Sequence, residues 1–145
     1  MATRIIIAGG RDFNDYLYMY TEMNKLLSEI EDDNIEIISG CARGADACGI
    51  RYAYAKKLPC KEFPANWDKY GKTAGFIRNE QMAKYAVEEG CTGILAAFWD
   101  LKSKGTENMI NNAKKYGMKI HIFEYSSIDL ELKNYLSQYE GKLIP

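Results

Sequence analysis

The chain has 145 residues, 47% of them hydrophobic, which is enough for one domain with a single core and too few for a second. Its 19 lysines and arginines nearly balance its 20 aspartates and glutamates, so the net charge of -1 attracts neither nucleic acid nor an anionic membrane. The four cysteines form no Cys-x-x-Cys pair, which argues against a zinc site and a disulfide framework. We therefore expect one cytoplasmic domain spanning residues 1–145, with no metal, no cofactor, no membrane partner and no targeting segment.

Strand and helix patterns alternate along the chain without a linker or a repeat. Continuous apolar runs predict strands, and apolar residues that recur every three or four positions predict helices. The predicted strands are residues 3–8, 35–39, 60–63, 93–99 and 119–123. The predicted helices are residues 19–30, 45–57, 74–89, 106–116 and 128–139. Residues 64–75 show no periodicity, and an irregular connection of that length is usually functional.

This alternation predicts an α/β fold in which a doubly wound parallel five-stranded sheet carries helices on both faces. Right-handed crossovers favour the strand order 3-2-1-4-5. The carboxyl ends of strands 1 and 4 then flank the switch point, which is where such a sheet binds its ligand. The sequence therefore predicts a site at that edge.

Three glycine-bearing turns follow three of the predicted strands. They contain Gly9 and Gly10 with Arg11, residues 40–44, and Gly105 with Thr106. Glycine amides and helix amino-termini bind phosphate well, although any one of these glycines is equally well explained by a tight turn. Because the three turns share one sheet edge and two carry an arginine, together they predict a pocket for a phosphate-bearing small molecule.

The second turn contains the richest set of polar groups. Between Ser39 and the second helix, Gly40 and Gly44 predict a nest of backbone amides, and Arg43 adds a bidentate contact to phosphate. Asp46 falls in the first helical turn. A carboxylate that complements the helix dipole is slightly favoured there over one that binds ribose hydroxyls.

The remaining candidates lie farther along the chain. Thr106 is predicted to be the N-cap of its helix or to bind a phosphate oxygen, with Ser103 beside it. Glu107 is either a helix-start acid or a general base. Trp67, in a polar loop, is predicted to stack on a base, and Arg78, followed by Asn79, to neutralise a phosphate. Trp99 adjoins an apolar strand and is expected to pack in the core.

In their order along the chain, these motifs resemble the YspA/YpsA-type branch of the SLOG superfamily, also described as DUF2493-like. The motifs that carry the resemblance lie in residues 9–13, 39–46, 64–72, 74–82 and 97–110, and the likeness extends from about residue 5 to residue 123. The superfamily also contains the LOG-type phosphoribohydrolases and the Rossmann-like part of DprA. Two positions depart from the branch, because Cys41 stands where a second glycine is more common and Asn66 where aspartate is.

The resemblance implies a Rossmann-like fold that binds a nucleotide or nucleotide-derived signal, in bacterial or phage conflict systems and as a homo-oligomer. We expect a sensor or sequestering protein. The residues expected to bind the ligand are Gly9, Gly10, Arg11, Ser39, Gly40, Arg43, Gly44, Asp46, Trp67, Arg78, Asn79, Ser103, Gly105 and Thr106.

Two other functions stay open. LOG-type relatives cleave the N-glycosidic bond of a nucleoside monophosphate, and Arg78 and Glu107 loosely match their arginine and glutamate, so Glu107 is the candidate catalytic residue. Residues 100–104 replace the Pro-Gly-Gly of those enzymes, which favours binding over hydrolysis. A DprA-like single-strand DNA binder is the least favoured, since the chain is acidic and has no basic stripe.

Overall fold

The computed structural model describes residues 2–126 and Tyr135. The described chain forms a single sheet whose five strands are β1 (Ala2–Gly9), β2 (Ile35–Ser39), β3 (Cys60–Glu62), β4 (Cys91–Trp99) and β5 (Lys119–Glu124). Every neighbouring pair is parallel, and the order is β3-β2-β1-β4-β5. The predicted α/β fold and its strand order are therefore confirmed.

Helices cover both faces of this sheet. They are α1 (Tyr16–Ser28), α2 (Ala45–Ala55), α3 (Trp67–Tyr70), α4 (Ala74–Ala86) and α5 (Lys104–Lys115), and a 3-10 turn, Gly71–Thr73, joins α3 to α4. Alternate residues of the strands point to opposite faces, so each face has its own apolar core. Ile5 and Ile7 of β1 pack with α1 and α2, whereas Ile6 and Ala8 pack with α4 and α5.

Helix ends are where the structure departs most from the predicted elements. α2 ends at Ala55 because Lys57 adopts a φ of 57°, which a right-handed helix cannot contain. α4 ends at Ala86 instead of residue 89. α5 begins at Lys104, two residues earlier than predicted, and ends as predicted before Gly117, whose φ is 71°.

The predicted irregular segment 64–75 is wrong in part, because it contains α3 and the 3-10 turn. Asn66 is the N-cap of α3, and its side chain accepts a hydrogen bond from the Lys69 amide at 3.1 Å. The Asn66 cap is a local sequence signal, but a helix of one turn is too short for apolar periodicity to reveal it. As a result Trp67 is held on a helix and not in a free loop.

Most of the predicted final helix lies outside the described residues. Of its predicted residues, Tyr135 alone is described, and it is helical and exposed. Across residues 2–126 no helix combines the length and the apolar character needed to cross a membrane. The same described residues contain no group of three or more His, Cys, Asp or Glu side chains placed to hold a metal ion.

Tyr52 provides a test of how α1 and α2 are joined. It is fully buried, and its hydroxyl donates a hydrogen bond to Asn24 Oδ1 at 2.6 Å. Tyr52→Phe should lower the free energy of unfolding by about 1 kcal/mol, because it removes that bond and keeps the ring. Tyr54→Phe, which changes a side chain that is 87% exposed on the same helix, is the control and should have no effect. Equal urea midpoints for both variants would contradict the predicted role of this bond.

Candidate functional site

Two adjoining cavities open at the carboxyl edge of the sheet. The first, of about 390 Å³, lies where β1 and β4 end and is bordered by α4 and α5; we call it the inner lobe. The second, of about 460 Å³, follows the end of β2, and we call it the outer lobe. Arg11, Ala42, Trp67 and Arg78 line both lobes, so the two form one cleft. Each volume is in the range of small-molecule sites, and the position is the predicted switch point.

The inner lobe has an apolar floor and polar walls. Ala8, Met82 and Met109 form the floor, and all three belong to the core beneath α4 and α5. The polar walls are formed by Asp46, Asn79, Ser103 and Thr106. A cavity of this kind suits a ligand part that is largely uncharged and carries a few hydrogen-bonding groups.

The charge of the cleft differs from that of the chain. Arg11, Arg43 and Arg78 line the outer lobe, and its described lining residues include no carboxylate. Arg11, Lys72 and Arg78 line the inner lobe, where Asp46 is the sole carboxylate among the described residues. A cleft with this excess of cations concentrates anions even though the net charge of the protein is -1.

Arg78 is buried, with 8% of its surface exposed, and it joins three parts of the site. Its Nη1 donates to the carbonyl oxygens of Gly40 and Phe63, and its Nε donates to Asn79 Oδ1 at 3.1 Å. Nη2, which has no hydrogen bond to the described residues, lies beside Gly75 on the wall of the inner lobe. The predicted phosphate contact of Arg78 is therefore limited to one edge of its guanidinium group.

Gly40 has a role within the protein in addition to the predicted ligand contact. A Cβ on Gly40 would lie 2.6 Å from Arg78 Nη1 and 2.8 Å from Asp46 Oδ2, so glycine is required for these side chains to approach. Gly40 lines the outer lobe, but its carbonyl oxygen binds Arg78. It makes room for the arginine and carboxylate of the site.

The predicted nest of amides at residues 40–44 is filled in part by the protein itself. The Cys41 amide donates to Ser39 Oγ and the Ala42 amide donates to Asp46 Oδ2, each at 3.2 Å. The Ala45 amide donates to the Gly10 carbonyl oxygen at 3.1 Å. At Ala42 the Asp46 carboxylate thus takes the place predicted for a phosphate oxygen.

Two residues of this turn support the site without lining it. Ser39 is fully buried, and its hydroxyl donates to the Asp46 carbonyl oxygen at 3.1 Å. Gly44 is the N-cap of α2 with a φ of 81°, and a Cβ there would overlap the Gly10 carbonyl group. Arg43, between the two glycines, is exposed and lines only the outer lobe.

Asp46 is an unusual carboxylate because only 6% of its surface is exposed. Burial raises the pKa of Asp46 to about 6, although the nearby Arg78 charge and the hydrogen bond from Ala42 act in the opposite direction. The structure places Asp46 on the wall of the inner lobe. Dipole compensation and contact with a ligand, the two roles considered for it, are both compatible with this position.

Ser103 and not Thr106 is the N-cap of α5, which corrects the predicted cap. Ser103 Oγ accepts hydrogen bonds from the Thr106 amide at 3.4 Å and from the Thr106 hydroxyl at 3.1 Å. Ser103, Gly105 and Thr106 all line the inner lobe, as predicted for ligand contacts. Trp99 packs against the core as expected, and its Nε1 donates to the Ser103 carbonyl oxygen at 3.2 Å.

Glu107 does not take part in the cleft. It is exposed on α5 and is not among the residues that line either lobe. Asn79, by contrast, lines the inner lobe, and its Nδ2 donates to the Gly105 carbonyl oxygen at 3.3 Å and to Asn108 Oδ1 at 3.0 Å. The predicted general base is therefore absent from the site, whereas the predicted contact at Asn79 lies within it.

The first turn contributes Gly9 and Arg11 to the cleft, but Gly10 lines neither lobe. The Gly10 amide donates to the Phe98 carbonyl oxygen at 3.1 Å, which makes it unavailable to a phosphate. Arg11 is exposed, with its guanidinium carbon 5.7 Å from the centre of the Trp67 ring. Trp67 is 48% exposed and lines both lobes, as expected for a side chain that stacks on a ligand.

Seven of the described residues that line the inner lobe are not among the ligand contacts predicted from the sequence, and the four with the largest side chains are Lys72, Phe76, Met82 and Met109. Met82 lies four residues after Arg78, and Met109 four residues after Gly105, so each pair shares a helix face. That spacing is the signal that identifies the two methionines. Lys72 and Phe76 lie around the 3-10 turn, where no periodic pattern applies.

The pKa of Asp46 predicts how stability depends on pH. This pKa is about 6 in the folded protein and 3.8 in an ordinary aspartate. As the pH rises, Asp46 therefore loses its proton at a lower pH in the unfolded chain than in the folded protein. The stability that the folded protein gains from this difference in pKa is fully present below pH 3.8 and is lost as the pH rises through 6. Relative to the wild type, Asp46→Asn should therefore gain up to about 3 kcal/mol in free energy of unfolding between pH 4 and pH 7.5.

Urea unfolding at several pH values measures this difference. Asp33→Asn is the matched control, since Asp33 is exposed in the loop before β2, and its difference from the wild type should stay constant. A constant difference for Asp46→Asn as well would show that the carboxyl is not held in a desolvated state.

Comparison with known proteins agrees with the motifs of this cleft. A gene 61 protein of Mycobacterium phage D29 is 27% identical to this chain over 124 residues, which is 81% of this chain and 93% of that protein. No solved structure gave a match. A family described as YspA, cpYpsA-related SLOG matches residues 3–70, the segment that contains the first two turns of the cleft and Trp67. The resemblance of this chain to the YspA-type branch of the SLOG superfamily is thereby confirmed over residues 3–70.

Proposed function

We propose that this protein binds a nucleotide or nucleotide-derived signalling ligand in the cleft and acts as a sensor or sequestering protein. The observation that carries this proposal is the charge of the outer lobe, where Arg11, Arg43 and Arg78 meet without a carboxylate among the described lining residues. The exposed Arg11 and Arg43 can bind phosphate through paired, charged hydrogen bonds, whereas Arg78 has Nη2 for this contact because its Nε and Nη1 bind the protein. The phosphate groups of the ligand lie near these three arginines.

The uncharged part of the ligand occupies the inner lobe. Its apolar floor of Met82 and Met109 suits a base, and Trp67 at the junction offers a half-exposed ring for stacking. Asp46 and Asn79 supply an acceptor and an amide on the walls for sugar hydroxyl groups. Gly105, in the first turn of α5, adds a backbone amide that needs no partner within the helix.

Two considerations support binding over hydrolysis. Glu107, the carboxylate suggested by LOG-type enzymes, is exposed and is not part of the described cleft lining. Asp46 is within reach of a ligand, but the Ala42 amide already binds it and burial favours its neutral form. The match of residues 3–70 to a SLOG family supports a role connected with nucleotides. The name of the phage relative does not state a function.

Titration calorimetry with ADP tests the proposal. Arg43→Gln should weaken the binding of ADP about tenfold, because it removes one charged hydrogen bond to phosphate from an exposed side chain. Arg51→Gln is the matched control. It makes the same charge change on α2, but Arg51 lies over the Tyr16 ring and does not line the cleft. We expect the control to bind ADP like the wild type.

A single-stranded oligonucleotide and adenosine complete the comparison. Adenosine should bind much more weakly than ADP, and the oligonucleotide should not bind at moderate salt. Equal affinities of the Arg43 and Arg51 variants for ADP, or an oligonucleotide that binds more tightly than ADP, would count against a nucleotide pocket at the three arginines.

The question of turnover has a direct test. Incubation of the protein with AMP, followed by chromatography for adenine, should give no more free base than buffer alone, because Glu107 is outside the cleft. If adenine is released and Glu107→Gln abolishes its release, the protein is a hydrolase and the sensor proposal is wrong. Release that survives Glu107→Gln but is lost in Asp46→Asn would assign hydrolysis to the buried carboxylate instead.

A further inference from the structure

Tyr125 connects the far edge of the sheet to the first turn of the cleft. It follows β5 directly, and its backbone amide donates to the Trp99 carbonyl oxygen at 3.2 Å. Its ring meets the Phe13 ring edge-on, with 5.0 Å between the centroids. Its hydroxyl donates a hydrogen bond of 2.5 Å to Asp12 Oδ1. A residue more than 100 positions away in the chain is thus bonded to the turn that carries Arg11.

The turn is enclosed from two sides. On one side a Cβ on Gly10 would overlap the Tyr125 hydroxyl, so the phenol lies directly against the backbone. On the other side the Gly10 carbonyl oxygen accepts a hydrogen bond from the Ala45 amide at 3.1 Å, which fixes the turn to the start of α2. Arg11 lies between Gly10 and Asp12 and is the residue of this enclosed turn that lines both lobes of the cleft.

We propose that Tyr125 is a positioning residue for the ligand, because its hydrogen bond to Asp12 holds the turn that presents Arg11 at the junction of the two lobes. The affinity part of this inference rests on the proposed function, whereas the fixed turn does not. An arginine whose backbone is already in place loses less conformational freedom when a ligand binds.

The chemistry of the pair suits this role. A hydroxyl that donates to a carboxylate makes a short and strong hydrogen bond. Burial, followed by the bond to Asp12, raises the pKa of Tyr125 well above its usual value, so the phenol keeps its proton and remains a donor. Tyr18 offers a matched comparison, because its hydroxyl donates to the Glu124 carbonyl oxygen at 3.0 Å, at the same end of β5.

Hydrogen exchange tests the fixed turn without any ligand. The amides of Phe13 and Ala45 both donate to the Gly10 carbonyl oxygen, so they report on the position of the turn. Tyr125→Phe should speed their exchange about tenfold, while Tyr18→Phe should leave it unchanged. Equal exchange in the two variants would overturn the inference, whatever the protein binds.

Calorimetry with ADP then tests the link to Arg11. Tyr125→Phe should weaken ADP binding about fivefold to tenfold in the wild-type background and have no further effect in an Arg11→Gln background. The same loss in both backgrounds would overturn the inference, because Tyr125 would then act by another route. If the wild type binds no ADP, the nucleotide proposal loses its support, and the exchange measurement alone decides whether Tyr125 fixes the turn.

Discussion

The cleft depends on the hydrogen bonds that Arg78 makes to the protein itself. Its Nη1 binds the carbonyl oxygen of Gly40 at the end of β2, and its Nε binds Asn79, whose amide in turn binds the Gly105 carbonyl oxygen on α5. One buried cation therefore joins a strand end to two helices that come from distant parts of the chain. Since buried donors and carbonyl oxygens without partners are costly, these bonds hold the walls of the cleft at a fixed separation.

A buried guanidinium group needs a countercharge, and Asp46 provides it. Both side chains lie within 3 Å of the place that a Gly40 Cβ would occupy, at 2.6 and 2.8 Å. The carboxylate has only 6% of its surface exposed, and burial raises its pKa, so its negative charge is maintained at a cost in stability. Arg11, whose charge also acts on Asp46, and Arg43 supply further positive charge to the cleft lining. An acidic chain can in this way contain a cleft that attracts anions.

Much of this arrangement could be predicted from the sequence, because it follows from local patterns. Apolar periodicity identifies the strands, and the order of a doubly wound sheet then brings Gly9, Ser103 and Thr106 to one cavity. The hydrogen-bond acceptors of individual backbone amides could not be predicted in the same way. Whether the Ala42 amide binds a phosphate or Asp46 depends on where Asp46 lies after folding. Likewise, that Glu107 lies on the exposed face of α5 and outside the cleft depends on how that helix packs against the sheet.

The number of backbone amides in the cleft that already have a hydrogen-bond partner within the protein also bears on ligand selectivity. Backbone amides recognise any anion of suitable size, and here the amides of Cys41, Ala42 and Ala45 are already bound within the protein. The exposed side chains of the cleft lining include Arg11 and Trp67, whose relative positions depend on the contact between the Arg11 guanidinium group and the Trp67 ring. Side chains on short helices and turns diverge faster among relatives than a sheet does. A fold of this kind can then keep its cleft and change the ligand that it binds by altering residues around α3 and the first turn.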